Sequence, residues 1–276
     1  MTKKVLKGSF ITFIMLLVYA PIVSMILFSF NANQSFTRFG GFSLRWYSAL
    51  FNHGEMMQAV LVTIIVAVVS TLISTIIGTL AAIALSRQRK VIRNLTLTAT
   101  NIPIINPEII TAISLFVLFG MLYLPSGYLT IILAHIAFST PYVIITVYPK
   151  VRSLDPNLAD AAADLGANPF QTLTKVILPQ LRVAIIAGAA IAFTMSFDDF
   201  VISYFVTIGS GVSNISTYLY TLKRGMDPKV NALSALIFLV IGLKVTYDYF
   251  IGGPRKARRE KLRGWKKYYY LYLHCY

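Results

Sequence analysis

The sequence predicts an all-α integral membrane protein with six transmembrane helices, both termini in the cytoplasm and one structured cytoplasmic loop between helices four and five. Three observations carry this reading. First, the AVILMFWYC set makes up 57% of the 276 residues and mean hydropathy is +0.70, while Asp, Glu, Lys and Arg reach only 13%, about half the roughly 25% of an average soluble domain. Second, six long apolar runs approach or exceed the roughly 20 residues that a helix needs to cross a hydrocarbon core about 30 Å thick. Third, Lys and Arg crowd into alternate intervening segments, as the cytoplasmic flanks of membrane helices do. Lipid-embedded backbone must be satisfied internally, and runs of this length favour helices over barrel strands. The formal charge of +15 would indicate nucleic acid in a soluble protein, but the placement of the charges points to lipid and no nucleic-acid partner is expected. A single cysteine, Cys275, excludes an intrachain disulfide framework and a cysteine-based zinc site.

The first run, 9–30, follows Lys3, Lys4 and Lys7. It exceeds the roughly 7–15 apolar residues of a cleaved signal peptide and has no A-x-A-like site after it, so it reads as a retained span. The second run is 59–85, and the loop after it carries Arg87, Arg89, Lys90 and Arg93. In the third, 102–124, Asn106, Pro107 and Glu108 read as N-cap, N1 and N2 of the main helix. Glu108 there either complements the positive helix end or lines a pathway. Pro125, Ser126 and Gly127 make a turn, and 129–148 is the fourth span, in which His135 reads as a packed, hydrogen-bonded interior residue in preference to a proton relay.

Residues 149–182, with Lys150, Arg152, Lys175 and Arg182, are longer than a turn requires. Asp155 and Pro156 read as a cap and first helical residue, 158–165 as a short helix, and Gly166 as its C′ stop. Asn168, Pro169 and Gln171 form a second start with a capping-box pattern, and Pro179 closes the segment.

The fifth span, 183–206, holds Asp198 and Asp199 about 24 Å from its cytoplasmic end, hence in its outer half. An ionised group at mid-bilayer costs about 2.5–3.5 kcal/mol on insertion scales. Neighbouring helical positions point about 100° apart, so the two acids do not share a face. One lines a pathway while the other pairs with a neighbour, or both ride as solvated interfacial acids. Phe197, Phe200, Tyr204, Phe205, Tyr218 and Tyr220 surround them. Carboxylates and ring faces suit a chain of methylenes bearing ammonium groups, although aromatic residues at such spacing more commonly pack at the membrane interface. Tyr204 and Tyr218 join Asp198, Asp199 and Glu108 as candidate path residues. Lys223 and Arg224 in the next loop could salt-bridge Asp198 or Asp199 as a closed gate.

The sixth span, 230–251, is interrupted by Lys244 and Asp248, which are spaced to pair at i, i+4. Positions 1–252 read as one transmembrane domain. The tail, 253–276, carries eight Lys and Arg and five Tyr and suits anionic lipid headgroups. Its abrupt change of composition after Leu243 marks it as a non-native segment. The opposite flanks hold only Arg38, Arg45, Lys223, Arg224 and Lys229.

Asp160-Ala161-Ala162, then Gly166, then Val176-Ile177-Leu178-Pro179 resembles the EAA loop of the membrane subunits of binding-protein-dependent ABC importers. The family has Glu at the place of Asp160 and usually Ile at that of Val176. The resemblance covers about 7–243, and Phe197-Asp198-Asp199 with Val230-Asn231-Ala232 is similar to the spermidine/putrescine permeases of that family. It implies a bacterial cell-membrane protein that supplies half of a polyamine path. Its implied partners are a second permease subunit, two ATPase subunits and an extracytoplasmic solute-binding protein. The resemblance further implies that Asp160, Ala161, Ala162, Gly166, Leu178 and Pro179 shape the loop or touch an ATPase. No G-x-x-x-x-G-K-[ST] run occurs, so ATP would be used by partner subunits and the chain itself needs no cofactor. Alternatives are an importer permease for another small solute, or an ion-coupled secondary transporter using Asp198, Asp199, Glu108 and His135. The second would be marked by inverted repeats, which the chain does not show. A membrane enzyme is disfavoured, since no metal-spaced cluster or nucleophile–base set is present.

Overall fold

The computed structural model describes residues 2–35, 37–222, 227–247 and 250; the features expected at Lys223, Arg224, Asp248 and the tail lie outside them. In chain order the helices are α1 (Thr2–Ser29), α2 (Arg45–Phe51), α3 (Gly54–Ser86), α4 (Lys90–Ile105), α5 (Glu108–Met121), α6 (Tyr128–Arg152), α7 (Leu158–Asp164), α8 (Pro169–Gln171), a π-helical turn (Thr172–Ile177), α9 (Leu178–Phe197), α10 (Val201–Val206), α11 (Ile215–Thr221) and α12 (Pro228–Tyr247). Among the described residues the regular structure is helical, with one isolated bridge between Asn31 and Phe42. Five helices are long and apolar enough to cross a membrane: Gly8–Ser29, Gly54–Ser86, Tyr128–Arg152, Pro169–Phe197 and Pro228–Tyr247. The bent pair α4 and α5 makes a sixth if it counts as one span.

Three expected elements change. The third span is not one helix over 102–124: α4 and α5 meet at 107°. Pro107 disfavours helical geometry in the residue before it, and Asn106 is accordingly extended at φ −69°, ψ 143°. Pro107 is the N-cap and Glu108 the first helical residue. The fifth span does not run unbroken through Val206 but stops at Phe197, so Asp198 and Asp199 lie at a break and not on a helix face. Pro179 does not close the loop segment. The chain passes from α8 through the π turn into α9, and the widened turn accommodates a proline that has no N–H and crowds the carbonyl four residues earlier.

The chain divides into two compact units, Met1–His53 with Arg224–Tyr276, and Gly54–Lys223. In the first, α12 packs on α1 and α2. The Trp46 indole N–H donates to the Asn31 carbonyl at 2.6 Å, and the Asn31 side chain ties the loop by donating to the carbonyls of Ser35 and Arg38 and accepting from Gly40 N–H.

In the second unit α3, α6 and α9 pack against one another, and α10 packs on α5 and α6. One core gathers Val62, Val66, Phe119, Ile131, Phe138 and Ile202; a second joins Ala82, Val143, Val147, Ile177 and Leu181. Val143 sits between two glycines. A Cβ built on Gly78 would lie 2.7 Å from the Val143 Cβ, and one on Gly188 3.3 Å from its Cγ1. Small residues of this kind let membrane helices approach closely enough for dispersion to hold them.

Candidate functional site

Breaking a span leaves free N–H groups that must find acceptors away from water. Asp199 supplies them at the start of α10. Its carboxylate accepts from Ile202 N–H at 3.3 Å, from Ser203 N–H at 2.8 Å and from the Ser203 hydroxyl at 2.7 Å. His135 of α6 backs this cap: its Nε2 lies 3.0 Å from Ser203 Oγ and 3.4 Å from Asp199 Oδ2, and its Nδ1 lies 2.6 Å from Ser196 Oγ. Ser196 Oγ is in turn 3.0 Å from Ser70 Oγ on α3. Asn214, just ahead of α11, completes the set by donating to the Asp199 carbonyl and to Ser203 Oγ, both at 2.8 Å. His135 is fully buried and Asp199 is 8% exposed.

The neighbouring acid has the opposite surroundings. Asp198 is exposed at the C-cap of α9, and its carboxylate has no hydrogen bond or ion pair among the described residues. Two positions on, Phe200 begins a ring cluster: its centroid lies 5.6 Å from Tyr204 and 5.0 Å from Tyr220, and Tyr204 and Tyr220 are 5.6 Å apart. Tyr204 is 37% and Tyr220 65% exposed, whereas Tyr218 is buried at 8%. Tyr220, which the sequence reading placed near the acids without counting it among the candidate path residues, joins this cluster. Glu108 is exposed at the first position of α5; no hydrogen bond or ion pair among the described residues joins it to Asp198.

The loop between α6 and α9 forms a second feature. α7 ends in a Schellman motif: Gly166 N–H reaches the Ala163 carbonyl at 2.8 Å and Ala167 N–H the Ala162 carbonyl at 3.0 Å, with Gly166 at φ +80°, where only glycine is unstrained. Asn168 and Gln171 make the expected capping box. The first helix starts at Leu158, later than Asp155 and Pro156 led one to expect, because Asp155 Oδ1 accepts from Asn157 N–H and holds a turn there. Asp160, Ala161, Asp164 and Pro179 are exposed and Leu178 is half-buried. Ala162 is 7% exposed. Leu165 and Phe170, which the sequence reading did not single out, stand out at 90% and 73% exposure. Leu165 lines a groove of about 420 Å³ together with Ala161, Ala162, Gly166 and Lys175.

Residues 74–252 match the family described as binding-protein-dependent transport system inner membrane component. The chain belongs to that family. The permease is 38% identical over 244 residues to the spermidine/putrescine transport system permease protein PotC of Escherichia coli K12, covering 88% of this chain and 92% of the relative. It is 34% identical over 256 residues to the putrescine transport system permease protein PotI of the same strain, covering 89% and 88%. A PotC homologue of Mycoplasma genitalium is 34% identical over 282 residues, covering 96% and 98%. A bacterial ABC transporter involved in the import of the acidic polysaccharide alginate has the same fold, with a TM-score of 0.74 at 16% identity over 90% of this chain and 96% of that one. The permease is thus an inner-membrane transport component of an ABC importer and not an enzyme.

Proposed function

We propose that this permease forms half of a translocation path for polyamines, and that Asp198 with the Phe200–Tyr204–Tyr220 cluster is the part of the chain that meets the substrate. The observation that carries the proposal is the division between the two acids. Asp199 is consumed by capping α10 and by His135, which leaves Asp198 as the exposed carboxylate, unpartnered among the described residues and two positions before the Phe200 ring of the cluster. An ammonium group gains from a carboxylate by charge and from an aromatic face by cation–π attraction, and the methylenes between ammonium groups pack on ring edges. The names of PotC and PotI support the same substrate class.

The remaining subunits of the proposed assembly are a PotB-like second permease, two PotA-like ATPase subunits and a PotD-like binding protein on the outer face. In this arrangement both termini and α7 lie in the cytoplasm, with Leu165 and Phe170 seated against an ATPase and Asp160 and Asp164 facing basic groups. A rigid loop transmits motion better than a soft one. The Schellman stop at Gly166 and the capping box at Asn168 supply that rigidity, and continuity through the π turn passes the motion to α9. The test is ATP hydrolysis by the reconstituted assembly. Binding protein loaded with spermidine should stimulate it severalfold, and stimulation by empty or sugar-loaded binding protein alone would defeat the proposal.

A further inference from the structure

At the end of the α3–α6 pair a cavity of about 380 Å³ combines two kinds of wall. Ile83, Val151 and Ile177 give the lining an apolar part, and Arg87 and Arg152 line the same cavity. Neither guanidinium has a hydrogen bond or ion pair among the described residues. Asp155 also lines the cavity, and its Oδ1 accepts from Asn157 N–H at 2.9 Å. An arginine at the C-terminal end of a helix is favourable without any ligand, because the carbonyl end is negative. That accounts for each arginine singly. It does not account for two of them lining one cavity together with Ile83, Val151 and Ile177.

The chemistry that satisfies both walls is a phosphodiester carrying an acyl chain. Guanidinium forks match phosphate oxygens two by two, and basic pockets between membrane helices on the cytoplasmic side hold anionic headgroups. A free phosphate would satisfy the arginines and leave the apolar wall in water. We propose that this cavity is a binding site for the headgroup and upper acyl chain of an anionic phospholipid of the inner leaflet. The leaflet assignment rests on the permease reading above. α7 begins at Leu158 on the wall of the same cavity, so a bound lipid braces the coupling loop against α3 and α6.

The experiment is lipid retention by the full-length chain, measured by native mass spectrometry from mixed micelles containing phosphatidylglycerol or phosphatidylcholine. It is read on the chain alone, so it succeeds or fails whatever solute the importer carries. R87Q/R152Q should lower phosphatidylglycerol retention about 30-fold, since each basic residue near an anionic surface contributes roughly fivefold. R89Q/R93Q, which removes nearby charges outside the cavity, should retain the wild-type amount. R87K/R152K keeps both charges but not the forks and should hold more lipid than R87Q/R152Q and less than wild type, which also checks that loss in the glutamine variant is not misfolding. Equal loss in R89Q/R93Q, equal retention of phosphatidylcholine, or a monodisperse R87K/R152K that retains no more lipid than R87Q/R152Q would overturn the proposal. So would displacement of the lipid by millimolar inorganic phosphate, which would mark a site for a soluble anion.

Discussion

Asp198 and Asp199 are adjacent in sequence, and the structure predicts opposite consequences when each loses its carboxylate. Asp199→Ala removes the cap of α10, worth about 1 kcal/mol. It also strips the buried Ser203 hydroxyl of its acceptor, at about 1–3 kcal/mol for a polar group left unpaired, while His135 Nε2 keeps its contact with Ser203 Oγ. Together the loss is about 2–4 kcal/mol, and at roughly 2–4 °C per kcal/mol for a chain of this size the melting temperature in detergent should fall by about 5–15 °C. Asp198→Asn touches no partner among the described residues, so its effect on stability should stay within about 0.5 kcal/mol. The assay is a paired one: melting followed by size-exclusion recovery, and ATP-driven spermidine uptake in vesicles. Asp198→Asn should melt with the wild type and lose uptake, and Asp199→Ala should melt early. A large stability loss in Asp198→Asn, or an Asp199→Ala protein that melts normally, would show that the roles have been assigned the wrong way round.

Other outcomes follow from single contacts. Gly78→Leu places a branched side chain where even a Cβ lies 2.7 Å from Val143; it should cost about 1–3 kcal/mol by overpacking, and Val143→Ala in the same chain should recover part of that loss in a thermal melt. Leu165→Glu, on the loop residue that is 90% exposed, should leave the melting temperature unchanged and weaken co-purification of the ATPase subunit at least tenfold, about 1.4 kcal/mol for a hot-spot contact. Gly166→Val forces a β-branched residue to φ +80°, which costs about 1–3 kcal/mol; stimulation of hydrolysis by loaded binding protein should fall while ATPase binding persists, and unchanged stimulation would contradict the rigid-loop account.

How far the sequence carried depends on where the determining residues lie. The runs 59–85 and 129–148 are intrinsic to their composition, and the structure extends them to Gly54–Ser86 and Tyr128–Arg152. The capping box of Asn168 and Gln171 was readable because its two partners are three residues apart. The break after Phe197 was not readable as a break. No glycine or proline marks it, and it is held by Asn214, 15 residues on, and by His135, whose contacts to Ser196 and Ser203 span 61 and 68 residues. For the same reason sequence alone left open which acid is free. The bend at Pro107 did have a local signal, but hydropathy runs evenly across it and merged the two helices. Which of Ala161, Ala162 and Ala163 is buried was not legible because three successive alanines carry no sidedness; α7 packs on the π turn and Ala162 is the buried one. Leu165 and Phe170 were missed because one apolar residue in a loop resembles any other until its exposure is seen.

The most direct test of the account is uptake of labelled spermidine into vesicles that hold this permease with its partner subunits and binding protein, with ATP enclosed or omitted and with putrescine, amino acids and sugars as unlabelled competitors. The account predicts uptake that requires ATP and is blocked by putrescine but not by the other competitors. Uptake that follows an ion gradient without ATP, or that an amino acid or a sugar abolishes, would contradict it.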